Sequence, residues 1–296
     1  MLAERRIKRA IAPVTSPRTK RRLIAGRDEL AGGLARIRAT RRGSGAPDFI
    51  IIGAQKAGTT FLYQELCRHE QVLPALTKEI HFFDDRYRRW KRAYPGFFPA
   101  TGPGQITGEA SPGYVFHPHA IERIAADLPD VRLLMTVRDP VRRAFSQFQH
   151  ETRLGFEDAP DFATALDREP ERLAGEHERM EADPSYVSFS WRHHSYVARG
   201  HYLDQIRAVE ALVGPDRLLV LPSEALYSDT TATLRRAFEC LGIDDSAPTE
   251  IGGNDMREPT GSRIDARDAD RLREHFREPN RALADHLGLD LGWDDG

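Results

Sequence analysis

The sequence predicts a three-layer α/β fold in which helices flank a central, mainly parallel sheet. Three apolar runs, at residues 49–52, 131–138 and 217–221, have the composition of strands that are buried on both faces. Segments with apolar residues at helical spacing lie between them, and this alternation indicates parallel pairing. Ligands of such sheets bind beyond the carboxyl ends of the strands, where we expect Gly53 and Arg138.

Weaker patterns complete the order of elements. We expect two short strands, at residues 78–84 and 105–109, and a helix that Asp139 caps and Pro140 begins. Residues 155–184 are charged and contain prolines, which indicates a mobile excursion around short helices. Further helices are predicted over residues 61–69, 119–128, 196–213, 230–241 and 266–286, the last of them broken near Pro279.

Composition excludes several classes of protein. With 40% hydrophobic and 30% charged residues, the 296-residue chain has an ordinary globular balance. No apolar run is long enough to span a bilayer, and the segment from Ile7 to Val14 is too interrupted for a signal peptide. We therefore expect a cytoplasmic protein. The two cysteines, Cys67 and Cys240, are too few for a disulfide framework or a zinc site, so buried free thiols are expected.

Charge divides the chain into a basic N-terminal arm, residues 1–46, and one domain, residues 47–296. The arm carries thirteen Lys and Arg against three acidic residues, a net charge of +10, whereas the whole chain has a net charge of −2. Such an arm can attract an anionic membrane surface or an acidic polymer, or it can be a solvated, partly helical extension. A location peripheral to a membrane is thus open. Nucleic acid is a weak candidate, because no nucleic-acid-binding motif accompanies the charge.

The strongest motif is the stretch from Asp48 to Leu62, in which a buried strand leads through a turn with two glycines into a helix. The first amides of a helix have no internal partners, and glycine lets a ligand come close to the backbone, so this is a P-loop-like anion cradle. Lys56 adds a positive charge within the turn. A nucleoside-triphosphate loop would have its lysine directly after the second glycine and a hydroxyl for Mg²⁺. Here Thr59 follows Gly58, so the pattern requires no metal.

A second phosphate site is predicted at Arg138 and Ser146. Arg138 ends its strand, and Ser146 lies about two turns along the helix that follows. A guanidinium offers forked donors that match the oxygens of a phosphate monoester. Together with the Lys56 loop, this pair indicates one nucleotide held at its 5′ end and at a 3′-phosphate. Alternatively, Arg138 is a structural ion-pair partner of Asp139 or Glu109.

The order of these motifs resembles the carbohydrate sulfotransferases, and in particular the heparan sulfate O- and N-sulfotransferase domains. The similarity extends from about Asp48 to Trp293 and includes Lys-Glu-x-His-Phe-Phe and Arg-Asp-Pro-x-x-Arg-x-x-Ser. It implies the donor 3′-phosphoadenosine 5′-phosphosulfate (PAPS) and the product 3′,5′-ADP. The residues that it assigns to the 5′-phosphosulfate lie in the loop and are Lys56, Ala57, Gly58, Thr59 and Thr60. It assigns the 3′-phosphate to Arg138 and Ser146, and the nucleotide phosphates also to Gly261, Ser262 and Arg263.

The resemblance also implies the catalytic residues. Glu79 matches the family's base, and a carboxylate within reach of an acceptor hydroxyl can take its proton. Lys56 would neutralise the charge that grows on the departing phosphate oxygen. His81, two residues after Glu79 and on the same side of an extended segment, could orient the acceptor or share the role of base. Without the resemblance, Glu79 would be interpreted as a surface carboxylate or an ion-pair partner.

Two departures from the family concern the acceptor rather than the donor. The family commonly has a lysine after the glutamate of Glu-Lys-Thr-Pro, whereas this chain has Ala110 in the run Glu109-Ala110-Ser111-Pro112. A short segment, residues 252–259, replaces the disulfide-bearing loop of the animal heparan enzymes. The predicted acceptor is a carbohydrate or glycolipid, at a hydroxyl or an amine. The alternatives are a P-loop kinase that uses ATP and a catalytically silent nucleotide-binding scaffold that the basic arm recruits.

Overall fold

A five-stranded parallel sheet forms the centre of the molecule, which a computed structural model describes for residues 17–40, 45–244 and 263–293. The strands are β1 (Phe49–Gly53), β2 (Val72–Pro74), β3 (Ile106–Ala110), β4 (Arg132–Val137) and β5 (Leu218–Pro222). Their order across the sheet is β2-β3-β1-β4-β5. Because β1 pairs with both β3 and β4, the carboxyl ends of these three strands lie side by side. This confirms the predicted fold class.

Helices cover both faces of the sheet. In chain order they are α1 (Pro17–Ala39), α2 (Thr59–Leu66), α3 (Tyr87–Trp90), α4 (Ala120–Asp127), α5 (Pro140–Leu154), α6 (Phe162–Leu173), α7 (Glu176–Ala182), α8 (Phe189–His193), α9 (Tyr202–Val213), α10 (Ser223–Ser228), α11 (Thr230–Leu241) and α12 (Ala266–Leu287). Short 3₁₀ turns lie at Tyr94–Phe97, Tyr114–Phe116, Ala198–Gly200 and Pro215–Arg217, and a π turn lies at Phe82–Arg86. None of the helices in the described ranges is both long and apolar enough to cross a bilayer.

Strand β1 supplies the core on both faces of the sheet, since successive side chains of a strand point to opposite sides. Ile50 and Ile52 belong to a cluster with Phe82 and Phe83, whereas Ile51 packs on the other face with Phe238. All five β1 residues are buried, as expected for a central parallel strand. The sheet therefore fixes the position of whatever follows Gly53.

Most of the predicted elements are confirmed, to within a few residues at their ends. Asp139 caps α5 as predicted, because its Oδ1 accepts a hydrogen bond of 2.8 Å from the Val141 amide. Helix α12 is unbroken, with Pro279 inside it. Helix α9 begins at Tyr202 rather than at residue 196. Both cysteines are free and half-buried.

The strand predicted over residues 78–84 is wrong. Glu79 and His81 have φ angles of 60° and 53°, in the left-handed region, so the backbone cannot be extended there. The π turn of residues 82–86 follows directly, and the second strand of the sheet is instead Val72–Pro74. Apolar residues in this segment suggested a strand, but Phe82 and Phe83 are buried from a turn, where they fill the core.

Helix α1 packs against the body of the domain along one side. Ala35 is fully buried, and a Cβ atom at Gly32 would lie 2.7 Å from the Trp90 ring, so glycine permits this close approach. The Arg86 guanidinium donates to Asp28 over 2.9 Å. The part of the basic arm that the structure describes is thus a docked helix.

Candidate active site

The loop between β1 and α2 has the geometry of an anion cradle. Lys56 and Gly58 have φ angles of 70° and 93°, which turn the chain sharply and leave the Gly58 carbonyl bonded to the Leu62 amide over 3.0 Å. No side chain caps α2, so the first amides of this helix can bind a ligand. A side chain at Gly58 would be strained, and its Cβ would lie 2.9 Å from the Tyr227 hydroxyl.

The structure brings Lys56 and Arg138 together. Arg138 Nη1 donates a 3.2 Å hydrogen bond to the Lys56 carbonyl, so the end of β4 touches the loop. The backbone around Arg138 is held in turn from α9 and α10. Tyr202 donates to the Arg138 carbonyl over 2.8 Å, and the Asp139 amide donates to Glu224 over 3.1 Å. Arg138 and the backbone of Lys56 thus lie at the same edge of the sheet, as the prediction of a single nucleotide requires.

Tyr227, on α10, was missed by the sequence analysis. Its hydroxyl is buried beside Gly58 and has no hydrogen-bond partner among the described residues. Burial raises its pKa to about 12, so the hydroxyl stays protonated and can donate. A phosphate oxygen in the loop would satisfy this orphaned group, so the residues here fit a phosphorylated ligand. An isolated tyrosine after the last strand carries no local signal, which is why sequence alone could not find it.

The environment of Lys56 is desolvated and positive. Burial is the main cause that lowers the pKa of Lys56 to about 8, and Arg153 and Arg138 lower it further. Glu151 and Glu79 act in the opposite direction, which also shows that both carboxylates lie near the lysine. A lysine held in this way is stabilised in its charged form by an anion. The site is thus electrostatically suited to a phosphate.

Glu79 lies at the carboxyl end of β3, beside the loop. Its amide donates to the Ala110 carbonyl over 3.0 Å, and its carboxylate accepts from Lys78 over 2.6 Å. The side chain is 44% exposed, so an acceptor arriving from solvent can reach it. A left-handed φ at a non-glycine residue is unusual and is found disproportionately at functional sites. Because β3 pairs with β1, Glu79 lies at the same edge of the sheet as the loop that carries Lys56.

His81 is oriented by Asp84, and the extended backbone predicted for Glu79 and His81 is wrong, because both residues have a left-handed φ. Its Nδ1 lies 2.9 Å from Asp84 Oδ2. Burial by itself would raise the pKa of Asp84, but the nearby His81 ring, its hydrogen bond and Arg192 outweigh it and hold that pKa well below its usual value. Because a carboxylate only accepts, Nδ1 carries the proton and Nε2 is left for another partner. His81 and Asp84 are three residues apart, and this spacing would have indicated the pair if the sequence had predicted a turn here.

Glu109 has a structural role. Its carboxylate is fully buried and accepts hydrogen bonds from the hydroxyls of Tyr94, Ser111 and Tyr114, at 2.7 to 3.3 Å. Burial raises its pKa, against the effect of these donors. Ser111 also accepts from the His81 amide over 3.1 Å. The Glu-Ala-Ser-Pro run thus supports the segment that carries Glu79 and His81.

Helix α5 contributes charged groups to the site that the sequence analysis did not select. Glu151 is buried and accepts from Gln55 over 3.4 Å and from His193 Nδ1 over 2.9 Å. Arg153 donates to His150 Nδ1 over 2.9 Å, so this ring is neutral with its proton on Nε2. Burial, followed by Lys56, lowers the pKa of His150 to about 4. These groups stand 90 residues or more from the loop in sequence, and only the tertiary fold brings them there.

The remaining predicted residues are placed as follows. Thr59 is buried at the start of α2, Thr60 is exposed, and Ala57 is buried within the loop. Ser146 is half-buried on α5. Arg263 is exposed before α12, while Gly261 and Ser262 lie outside the described residues. Within the described ranges, no group of three or more His, Cys, Asp or Glu side chains could hold a metal ion.

Trp191 and His194 are packing residues. The Trp191 ring stacks on Phe116 at 4.5 Å and donates to its carbonyl over 3.0 Å. His194 is buried, and its Nε2 lies 3.0 Å from the Phe156 carbonyl. Both rings are thus held by packing and by hydrogen bonds to backbone carbonyls.

Comparison with known proteins agrees with this geometry. Mouse heparan sulfate glucosamine 3-O-sulfotransferase 3B1 is 30% identical over 273 residues, which cover 84% of this chain and 65% of that enzyme. Mouse heparan sulfate glucosamine 3-O-sulfotransferase 6 is 28% identical, with 96% of this chain and 82% of the enzyme covered. The chain thus spans slightly less than two thirds of the first of these relatives.

Solved structures support the fold alone. A sulfotransferase from Alicyclobacillus acidocaldarius matches with a TM-score of 0.66 and 24% identity, over 85% of this chain and all of that one. The sulfotransferase STF9 from Mycobacterium avium matches with a TM-score of 0.54 and 17% identity, over 95% of this chain and 89% of that one.

The family profile of the sulfotransferase domain matches residues 46–254. The loop, the Arg138 strand end and this match together lead to one conclusion: the chain belongs to the sulfotransferase domain family.

Proposed function

We propose that the chain transfers a sulfuryl group from PAPS to a hydroxyl or amine of a carbohydrate or glycolipid, and leaves 3′,5′-ADP. The observation that carries this proposal is the 3.2 Å hydrogen bond between Arg138 and the Lys56 carbonyl. It places a guanidinium suited to a 3′-phosphate beside a loop suited to a 5′-phosphate. The buried, unpartnered Tyr227 hydroxyl provides a further donor at the loop. The names of the mammalian relatives support a carbohydrate acceptor.

The residues of the chain divide the chemistry between them. The donor supplies the sulfuryl group and a phosphate leaving group. Glu79 takes the proton of the acceptor hydroxyl as its oxygen bonds to sulfur, since the carboxylate is accessible and held beside the loop. Lys56 neutralises the negative charge that grows on the 5′-phosphate oxygen as the bridging S–O bond breaks. His81, fixed by Asp84, orients the acceptor.

Arg153 and His150 compensate for the lysine that is absent at Ala110. Arg153 lies close enough to Lys56 to lower its pKa, and His150 is influenced by both Lys56 and Glu79. A cation and a neutral N–H donor therefore line the site next to the base. We assign them to the acceptor side, where they would meet anionic groups or hydroxyls of the sugar.

The basic arm has a role of its own in this proposal. Its net charge of +10 would draw the enzyme to an anionic partner, either a membrane surface or an acidic polymer. We propose that the enzyme is cytoplasmic and peripheral to a membrane.

Calorimetry with 3′,5′-ADP, compared with ATP and Mg²⁺, tests the donor. We expect binding of 3′,5′-ADP without metal and weaker binding of ATP; tight binding of ATP–Mg²⁺ alone would favour the kinase. Transfer of radiolabelled sulfate from PAPS to a panel of glycans and glycolipids then tests the reaction. Binding of 3′,5′-ADP with no transfer, and no change on Glu79→Ala, would favour the silent scaffold.

A further inference from the structure

Helix α1 presents an apolar stripe to solvent. The stripe consists of Leu23, Leu30, Leu34 and Ile37, which are 44%, 72%, 55% and 58% exposed. Their spacing of seven, four and three residues places all four on one face of the helix. They make up half of the eight exposed large apolar side chains in the described part of the chain. Single exposed leucines are ordinary, but a row of them on one helix face indicates a surface that binds something.

The fold holds this stripe outward. The opposite face of α1 is fixed by buried Ala35 and by the contact of Gly32 with Trp90. Two ion pairs add to this anchoring, Asp28 with Arg86 at 2.9 Å and Glu29 with Arg89 at 2.7 Å. A rotation that buried the stripe against the domain would break all of these contacts. The stripe therefore stays exposed in the part of the chain that the structure describes.

The charge around the stripe is positive. The acidic residues of α1, Asp28 and Glu29, are both engaged in ion pairs. Arg38 lies in the last turn of the helix, four residues after Leu34 and so beside the stripe, and residues 1–46 together have a net charge of +10. An apolar face with a basic surround is the pattern of helices that lie in the interface of an anionic bilayer.

We infer that α1 docks the enzyme on an anionic membrane surface, with its leucine stripe in the boundary between headgroups and acyl chains. The inference rests on the anionic partner proposed for the basic arm and specifies it as a lipid bilayer. A second copy of this chain could also cover the stripe, because the spacing fits a coiled-coil seam. However, two arms of net charge +10 would then meet, whereas a bilayer offers both an apolar interior and negative charge.

Flotation of the full chain with lipid vesicles tests this inference without donor or acceptor, so its result is independent of sulfuryl transfer. One set of vesicles contains phosphatidylcholine alone and the other contains phosphatidylserine as well. We expect binding to the second set only, with release at high salt. Leu30→Ser combined with Leu34→Ser should weaken that binding by about tenfold or more, because two apolar side chains that would be buried in the bilayer are removed.

Leu212→Ser is the matched control, since Leu212 is 47% exposed on helix α9, away from the stripe, and its change should leave vesicle binding unaltered. Thermal melting checks that each variant is folded, and Ile37→Ser replaces the double variant if that one unfolds. Equal binding to neutral vesicles, or a double variant that binds like the unaltered chain, would overturn the inference. The inference would also be overturned if the unaltered chain sedimented as a dimer and the double variant as a monomer, since a second copy would then cover the stripe.

Discussion

The donor side and the acceptor side of the site are built in different ways. The donor side consists of the Gly53–Thr60 loop and the end of β4 at Arg138, and neighbouring strands of the sheet hold both. The acceptor side that we propose combines Glu79 and His81 with side chains from α5. The donor side depends on backbone geometry, which a short stretch of sequence determines. The acceptor side depends on contacts between side chains that are far apart in the sequence. The donor side is therefore readable locally, and the acceptor side is not.

The largest expected effect is on the acceptor side. Glu79→Gln keeps the size of the side chain but removes the base, so we expect turnover to fall by about 10³-fold while 3′,5′-ADP still binds. Radiolabelled transfer and calorimetry measure the two quantities. Glu178→Gln, at an exposed position on α7, is the control and should have no effect. If Glu79→Gln weakened nucleotide binding as much as turnover, the division into two sides would be wrong.

Lys56→Met tests the donor side. Loss of the cation that neutralises the leaving phosphate should lower turnover by roughly 10² to 10³-fold and also weaken 3′,5′-ADP binding. The same two assays apply. Lys91→Met is a matched control because Lys91 is a surface lysine whose side chain is 61% exposed. An unchanged turnover in Lys56→Met would remove the loop from the reaction.

Arg138→Ala should act on affinity and on one phosphate only. Loss of hydrogen bonds to a charged group corresponds to a roughly tenfold to hundredfold weaker binding of 3′,5′-ADP. Binding of 5′-AMP, which lacks the 3′-phosphate, should change much less. Calorimetry with both nucleotides on both proteins isolates the contribution of that phosphate. Equal losses for the two ligands would place Arg138 elsewhere than at the 3′ end.

The smallest expected effect is a pH dependence of donor binding. The pKa of Lys56 is about 8 without ligand, and a bound phosphate raises it again. The affinity for the donor should be highest below this pKa. It should fall as the pH rises through the pKa, by at most about tenfold per pH unit. Binding near that pH should take up protons, which calorimetry detects as a heat that depends on the buffer. Lys56→Met should abolish the dependence, and a flat profile in the unaltered protein would contradict it.

The extent of successful prediction follows the same division. The apolar runs of β1, β4 and β5, the Asp139 cap and the Lys56 loop could be predicted because neighbouring residues determine them. The family predicted from these motifs is confirmed by the match over residues 46–254. The strand prediction for residues 78–84 was wrong because the local sequence gives no sign that two non-glycine residues adopt a left-handed φ.

The acceptor side could not be predicted in full for a related reason. The His81–Asp84 pair depends on the turn that was not expected, and Glu151, Arg153 and Tyr227 reach the site only through the packing of α5 and α10. The Gly261–Ser262 part of the nucleotide site lies outside the described residues, so it stays a prediction. The same is true of the cytoplasmic location and of the arm's boundary at residue 46.

The hydrogen bond from Arg138 to the Lys56 carbonyl couples two halves that contact different ends of the proposed nucleotide. Since this bond holds the two groups beside each other before any molecule arrives, the losses from paired substitutions should not add. Capture of the donor then becomes a single event on a rigid template, instead of two successive adjustments.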